Sequence, residues 1–315
     1  MFRALRRIVI WSAIAVTAAV VAVAAVEFPY DTDAPISAQE AEKERSYYAD
    51  AYKQANSTGE QAPSAYDTRY IQIATKAAEI GHIDQQVADL VNRYGLRKQR
   101  ILEIGSGRGY LQDMADDYTG LDISPNVGRF YHKKFVLGSA TALPFPDNSF
   151  DAGWSVWVFE HIPNPEQALL EWRRVTRDGG LILLAPAWSA TAWPPNGYRV
   201  RPYSDFDLTG KLMKASTPIR FSPPFLAASK VPMRFLRSVA SHFGGPTRLH
   251  YTRLNPNYKE YWEADSDAVN SLDRYEVLLW FRSRGDECLN CEGVSGSILM
   301  RSDPWLIIRV HKKAG

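Results

Sequence analysis

Three glycines at alternate positions, Gly105, Gly107 and Gly109, follow a short apolar run that ends in a carboxylate, "ILEIGSGRGY". Glycine is placed where a Cβ would collide, so something presses against the backbone of this loop. A P-loop needs Lys-Ser or Lys-Thr after its last glycine, and neither follows here. A dinucleotide fingerprint needs a small third residue for helix–strand packing, and that position holds Tyr110. Glu103, two residues before the first glycine, would repel a pyrophosphate and attract a ligand carrying an ammonium and a sulfonium. Asp122 comes 19 residues after Glu103, at the end of "YTGLD", where a carboxylate can accept both hydroxyls of a ribose.

A second chemical group is His161 in "VFEHIPNP", just past a fourth apolar run. It is the candidate proton acceptor. Glu160 and His161 serve equally well as residues that shape the start of the next helix, so both readings stay open. The two cysteines, Cys288 and Cys291 in "CLNC", are too few for a disulfide framework. Zinc wants four ligands, and no second Cys/His pair lies at a matching spacing. No metal site is expected, and the cysteines read as core residues or a local hairpin pair.

Strands positioning these residues are expected at 100–105, 118–122, 134–138, 151–156 and 180–186, with helices near 109–116, 125–132 and 163–176. The last helix, "PNPEQALLEWRRVTRDGG", has prolines at its start and arginines before a glycine pair at its end. Strand–helix alternation with short turns means parallel strands joined by right-handed crossovers, hence a doubly wound α/β sheet. Upstream, helical composition spans about 41–56 and helical periodicity spans 66–94. Downstream, "LDRYEVLLWFRSRG" reads as a helix and "WLIIRVHKK" as a closing strand.

Four ordered motifs, "LEIGSGRGYL", "GLDISP", "GSATALPFPDNSFD" and "EWRRVTRDGGLILLAP", resemble the class I S-adenosylmethionine-dependent methyltransferases. The similarity is greatest to the small-molecule, quinone- and sterol-type ("type 11") subgroup. It covers about Ile101 to Pro186 and, more loosely, the C-terminal helix and strand. The resemblance implies a Rossmann-like, seven-stranded mixed sheet with one antiparallel strand, and S-adenosylmethionine as cofactor. It implies that Glu103, Gly105, Ser106, Gly107 and Gly109 approach the methionine half, Asp122 the ribose and Ile123 the adenine. The family's Gly-Asp-Ala after the third strand is here Gly138-Ser139-Ala140, so Ser139 and Ala140 stand at the adenine amino group with a shorter, uncharged acceptor. Methyl transfer from a sulfonium asks the protein to align nucleophile and methyl, exclude water and, for an oxygen acceptor, remove a proton. The methylated atom stays open. A nicotinamide oxidoreductase is disfavoured by Glu103 and Tyr110; a tethered cofactor-binding protein without catalysis stays open.

The 79 residues from Ala187 to Asp265 do not follow the alternation and are expected to form a lid or substrate region. They hold eleven Lys/Arg against five Asp/Glu, within a chain whose net charge is only +2. "VPMRFLRSVASHFGG" reads as a cationic amphipathic helix with Pro232 at its start, Gly244 at its end and Met233, Leu236, Ala240 and Phe243 on one face. Such a helix either packs on the core with solvated arginines or rests on anionic headgroups and admits a lipid or quinone. No basic run or stacking module supports nucleic acid. The acceptor is therefore expected to be small or lipid-like, with a protein or glycan as the alternative.

Arg3, Arg6 and Arg7 precede 19 uncharged residues, Ile8 to Val26. As a helix that run is about 29 Å long, close to the hydrocarbon thickness of a bilayer. It exceeds the usual apolar region of a signal peptide, which favours an uncleaved anchor, although "AVAA" offers a cleavage site. The chain thus divides into an anchor or signal (1–26), linker and helix (27–65), core (66–186), insert (187–265) and a closing helix and strands (266–315). The arginines put the N-terminus in the cytoplasm and the domain across the membrane. The cofactor implied by the resemblance argues instead for a cytosolic domain, which is the side expected.

Overall fold

The computed structural model describes residues 2–27, 37–53, 65–259, 261–293, 298–299 and 303–312. Four helices come first: α1 (Phe2–Glu27), α2 (Ala38–Lys53), α3 (Ala65–Ile80) and α4 (Ile83–Tyr94). Four strands follow, β1 (Arg100–Ile104), β2 (Asp117–Asp122), β3 (Lys134–Leu137) and β4 (Phe150–Val156), and then α5 (Pro165–Val175) and β5 (Thr176–Ala185). The insert carries α6 (Trp193–Asn196), α7 (Leu208–Arg220), α8 (Pro223–Ser241) and β6 (Tyr251–Arg253). The chain closes with β7 (Asn270–Leu272), α9 (Arg274–Arg282), β8 (Glu287–Cys288) and β9 (Leu306–Arg309). The linker expected around 28–36 and the break within 54–64 lie outside the described residues.

The sheet has seven strands in the order β3-β2-β1-β4-β5-β9-β8. β1 to β5 are parallel, and β9 runs antiparallel to both β5 and β8. Its faces follow the two-residue strand period. Leu102, Ile104, Ile182, Leu184, Leu306 and Ile308 pack toward α5 and α9, whereas Ile101, Trp154, Leu183 and Ile307 pack toward α4. β6 and β7 form a separate antiparallel ribbon.

The strand expectations hold to within a few residues, and the helix at 163–176 is α5. Asn164 caps it, accepting from the Gln167 amide at 3.1 Å, with Pro165 in the first turn and Arg173 and Arg174 in the last. Two expected helices are not present. The segments 109–116 and 125–132 hold only 3-10 turns at Gln112–Met114 and Gly128–Phe130. Asp113, Asp116 and Asp117 would crowd the negative end of the first helix, and Gly128 interrupts the second.

The amphipathic reading of the insert is also corrected. α8 begins at Pro223 and runs through Pro232. Its arginines are not solvated: Arg234 is 6% exposed and holds Asp273 at 2.8 Å, and Arg237 holds the buried Glu276 at 2.9 Å. The apolar side faces outward, with Phe235, Leu236 and Val239 exposed. Helix α1 lies alongside α8, and no part of its apolar window is buried. Cys288 and Cys291 are bonded to each other, the local pair expected of a hairpin.

Candidate functional site

The loop after β1 is pinned to the neighbouring strand, because the amides of Gly105 and Ser106 both donate to the Leu121 carbonyl, at 2.8 and 3.1 Å. Gly105, Gly107 and Gly109 all have positive φ (67°, 48° and 71°), which side chains rarely adopt. What presses on them is protein. A Cβ on Gly105 would lie 2.3 Å from a Val158 methyl, and one on Gly109 would meet Gln112 and Tyr131 at 2.9 Å. At Gly107 the neighbour is the Tyr52 hydroxyl of α2, 3.1 Å away. Ser106 is buried, and its hydroxyl has no partner among the described residues.

Asp122 closes β2 at the same level. One carboxylate oxygen accepts the Gly107 amide and the other the Ser124 amide, each at 2.8 Å. Burial pushes its pKa up, opposed by those amides. The carboxylate keeps free lone pairs toward a cavity of about 420 Å³ at the carboxyl ends of β1, β2 and β4. Gly105, Asp122, Ile123, Ser139, Ala140 and His161 all line that cavity.

Glu103, Ser106, Gly107 and Gly109 do not line it. The strand period turns Glu103 to the α4 face, where it is buried and accepts the Tyr118 hydroxyl. Burial pushes its pKa to about 8, so at neutral pH it is largely a neutral acid rather than the expected negative charge. Ser139 turns toward its own loop, its hydroxyl 2.9 Å from that of Thr141.

Helix α2 roofs the cavity with Glu44, Tyr48 and Tyr52, joined by Tyr70 of α3. Ser124, Asn126 and Arg129 brace the last turns of α2 by donating to the carbonyls of Tyr48, Ala49 and Tyr52, at 3.2, 2.8 and 2.6 Å. These roof residues went unnoticed in the sequence. Their signal was present, since Glu44, Tyr48 and Tyr52 recur every fourth residue on one helix face.

His161 sits between its neighbour Glu160 and acids from a distant segment. Its Nδ1 lies 3.8 Å from Asp267 and its Nε2 3.9 Å from Glu160. The ribbon brings Asp267 there, since the Val269 amide donates to the Glu160 carbonyl at 2.9 Å. Burial alone would lower the pKa of His161. The charges of Asp267, Glu160 and Asp265 outweigh it and lift the ring to about 9. Burial raises Glu160 to about 7 and Glu44 to about 8. Glu160, His161 and Asp265 place ligand atoms within 4.8 Å of one another, a metal-like grouping not expected from the sequence. Among the described lining residues, the cavity carries the carboxyls of Glu44 and Asp122 beside Arg45 and His161.

Residues 102–184 match the family described as "Methyltransferase domain". A demethylmenaquinone methyltransferase of Renibacterium salmoninarum is 35% identical over 96 residues, 28% of this chain and 40% of that protein. A malonyl-(acyl-carrier protein) O-methyltransferase of Coxiella burnetii is 28% identical over 168 residues, 48% of this chain and 58% of that protein. The match spans less than two thirds of either relative's length. A solved SAM-dependent methyltransferase of Aquifex aeolicus is 15% identical, covering 33% of this chain and 65% of that one, with a TM-score of 0.30. At that score the strand order, and not the superposition, carries the fold.

Proposed function

We propose that this chain, whose residues 102–184 form a class I methyltransferase domain, transfers a methyl group from S-adenosylmethionine to a small, apolar or membrane-associated acceptor. The observation that carries this reading is the convergence of Gly105, Asp122, Ile123, Ser139, Ala140 and His161 on one cavity. The bound cofactor supplies an electrophilic methyl on sulfonium. Asp122 would accept the ribose hydroxyls, Ile123 would pack on the adenine and Ser139 would stand at its amino group. The tyrosines of α2 and α3 exclude water. His161, held by Asp267, takes the acceptor's proton in the fraction of molecules where its ring is neutral.

Calorimetry on the full chain in detergent tests the cofactor reading: the cofactor or its demethylated product binds, and Asp122→Ala weakens binding strongly. Labelled cofactor followed by separate lipid, protein and polar extraction tests the acceptor. Label confined to polar metabolites or to nucleic acid refutes the apolar acceptor, and label in protein or glycan supports the alternative class. Cofactor binding without any labelled product favours a tethered binding protein.

The domain is proposed on the cytosolic face, where this class of cofactor is made, with α1 as the single-pass anchor. A second reading puts the domain on the opposite face. It is favoured by the three arginines ahead of the span and by the bonded cysteines, which are commoner in oxidising compartments.

A further inference from the structure

A second cavity, of about 660 Å³, lies between the insert and the closing segment and shares no lining residue with the first. That volume is ample for a small organic ligand. Its walls are apolar and aromatic, including Trp188, Trp193, Phe225 and Leu226. Four cations line it, Arg220, Lys230, Arg234 and Arg274, against a single acid among the described lining residues, Asp303. Lys230 and Arg234 are both committed to Asp273, at 3.3 and 2.8 Å. Arg220 lies over the Trp193 ring, 5.1 Å from its centroid. Asp303 is occupied by the Trp305 amide and the Asn290 side chain, at 2.9 and 2.7 Å.

Arg274 differs from the other three. It opens α9, is 4% exposed and donates through Nη2 to the Trp305 carbonyl. Its Nε is buried and has no hydrogen-bond partner among the described residues, although the charge of Asp303 acts on the guanidinium and opposes its burial. A buried guanidinium donor without an acceptor is costly, and an anionic oxygen entering the cavity would satisfy it.

The mouth points to what carries that oxygen. Phe221 and Leu226 line the cavity and are 48% and 40% exposed. Beyond them Leu208, Leu212 and Ile219 face outward from α7, spaced so as to fall on one helix face. Phe235, Leu236 and Val239 do the same on α8, beside the uncharged run of α1. An apolar surface of this extent, contiguous with a candidate membrane span, is suited to lie in a bilayer interface.

We propose that this cavity binds an amphiphile with one anionic head group, carboxylate or phosphate, and an apolar chain. The head sits at Arg274, and the chain leaves past Phe221 and Leu226 toward the bilayer that holds α1. The proposal is about binding and does not depend on methyl transfer.

The full chain in neutral phosphatidylcholine nanodiscs is photolabelled with a diazirine palmitate at low mole fraction, and the crosslinked peptides are mapped. Crosslinks are expected at 188–193 and 221–226. Unlabelled oleate or lysophosphatidate should compete about tenfold better than oleyl alcohol, as a charge-assisted hydrogen bond to the head group requires. The stronger of the two acids identifies the head. Arg274→Gln should erase the preference and Arg274→Lys keep it. Ala227→Trp, filling the cavity, should remove these crosslinks while cofactor binding by calorimetry stays unchanged. Crosslinks confined to α1 and the outward faces of α7 and α8, or an alcohol that competes as well as the acids, would overturn the proposal. Should Arg274→Gln fail to fold, Ala227→Trp and the competitor series still decide.

Discussion

His161 Nδ1 lies 3.8 Å from an Asp267 carboxylate oxygen, and that same oxygen accepts the Tyr48 hydroxyl at 3.0 Å. One contact therefore joins the loop after β4, the ribbon and the roof helix α2. The ring is cationic at neutral pH because Asp267 is the largest of the charges that lift it to about 9. If His161 is the proton acceptor, turnover on a hydroxyl acceptor should rise with pH toward about 9. Asp267→Asn should move that rise to lower pH, and an unmoved profile would remove Asp267 from the role.

The same pair affects stability. A folded pKa of about 9 against an ordinary 6.5 means its contribution is fully present below 6.5 and fades as pH rises through 9. Asp267→Asn should cost about 1–3 kcal/mol at pH 6 and much less at pH 10, read as melting temperature at each pH.

Asp122→Ala should weaken cofactor binding by about a hundredfold or more, as expected for losing a carboxylate that accepts two hydroxyls. It also frees the amides of Gly107 and Ser124, so the melting temperature must be measured alongside. Wild-type affinity in a folded Asp122→Ala protein would rule out a ribose contact.

Gly105→Ala should destabilise by about 2–4 kcal/mol, combining a positive φ with collision against Val158. Adding Val158→Ala should restore part of the loss, leaving the backbone strain. A neutral Gly105→Ala in thermal denaturation contradicts the packing described for this loop.

Glu103→Gln tests whether the carboxyl acts as a charge. Its folded pKa of about 8 lies above the ordinary 4.5, so stability present below 4.5 is lost as pH rises through 8. The amide variant escapes that loss and should outlast the wild type above pH 8, with cofactor affinity within about threefold. A large drop in affinity would return Glu103 to the ligand's charge.

Protease protection of tagged membrane vesicles should show the domain digested from the cytosolic face. Digestion only from the other face would require cofactor import or a binding role without catalysis.

Much of this molecule was legible one segment at a time. The five parallel strands, the glycine loop, Asp122 at the end of β2 and the caps of α5 follow from periodicity and turn chemistry, which act over a few residues. Glu103 shows the limit, because its type and place were readable but its neighbours, Tyr118 and Trp154, come from other strands. The same holds for His161, whose partner Asp267 lies beyond the insert, and for the roof of tyrosines from α2 and α3. It holds most clearly for α8. Its pattern announces an amphipathic helix but not which face turns inward, and buried Asp273 and Glu276 drew the arginines in and left the apolar side out. Local sequence sets which conformations a segment favours. Desolvation and charge pairing depend on which segments meet, and only the tertiary structure decides that.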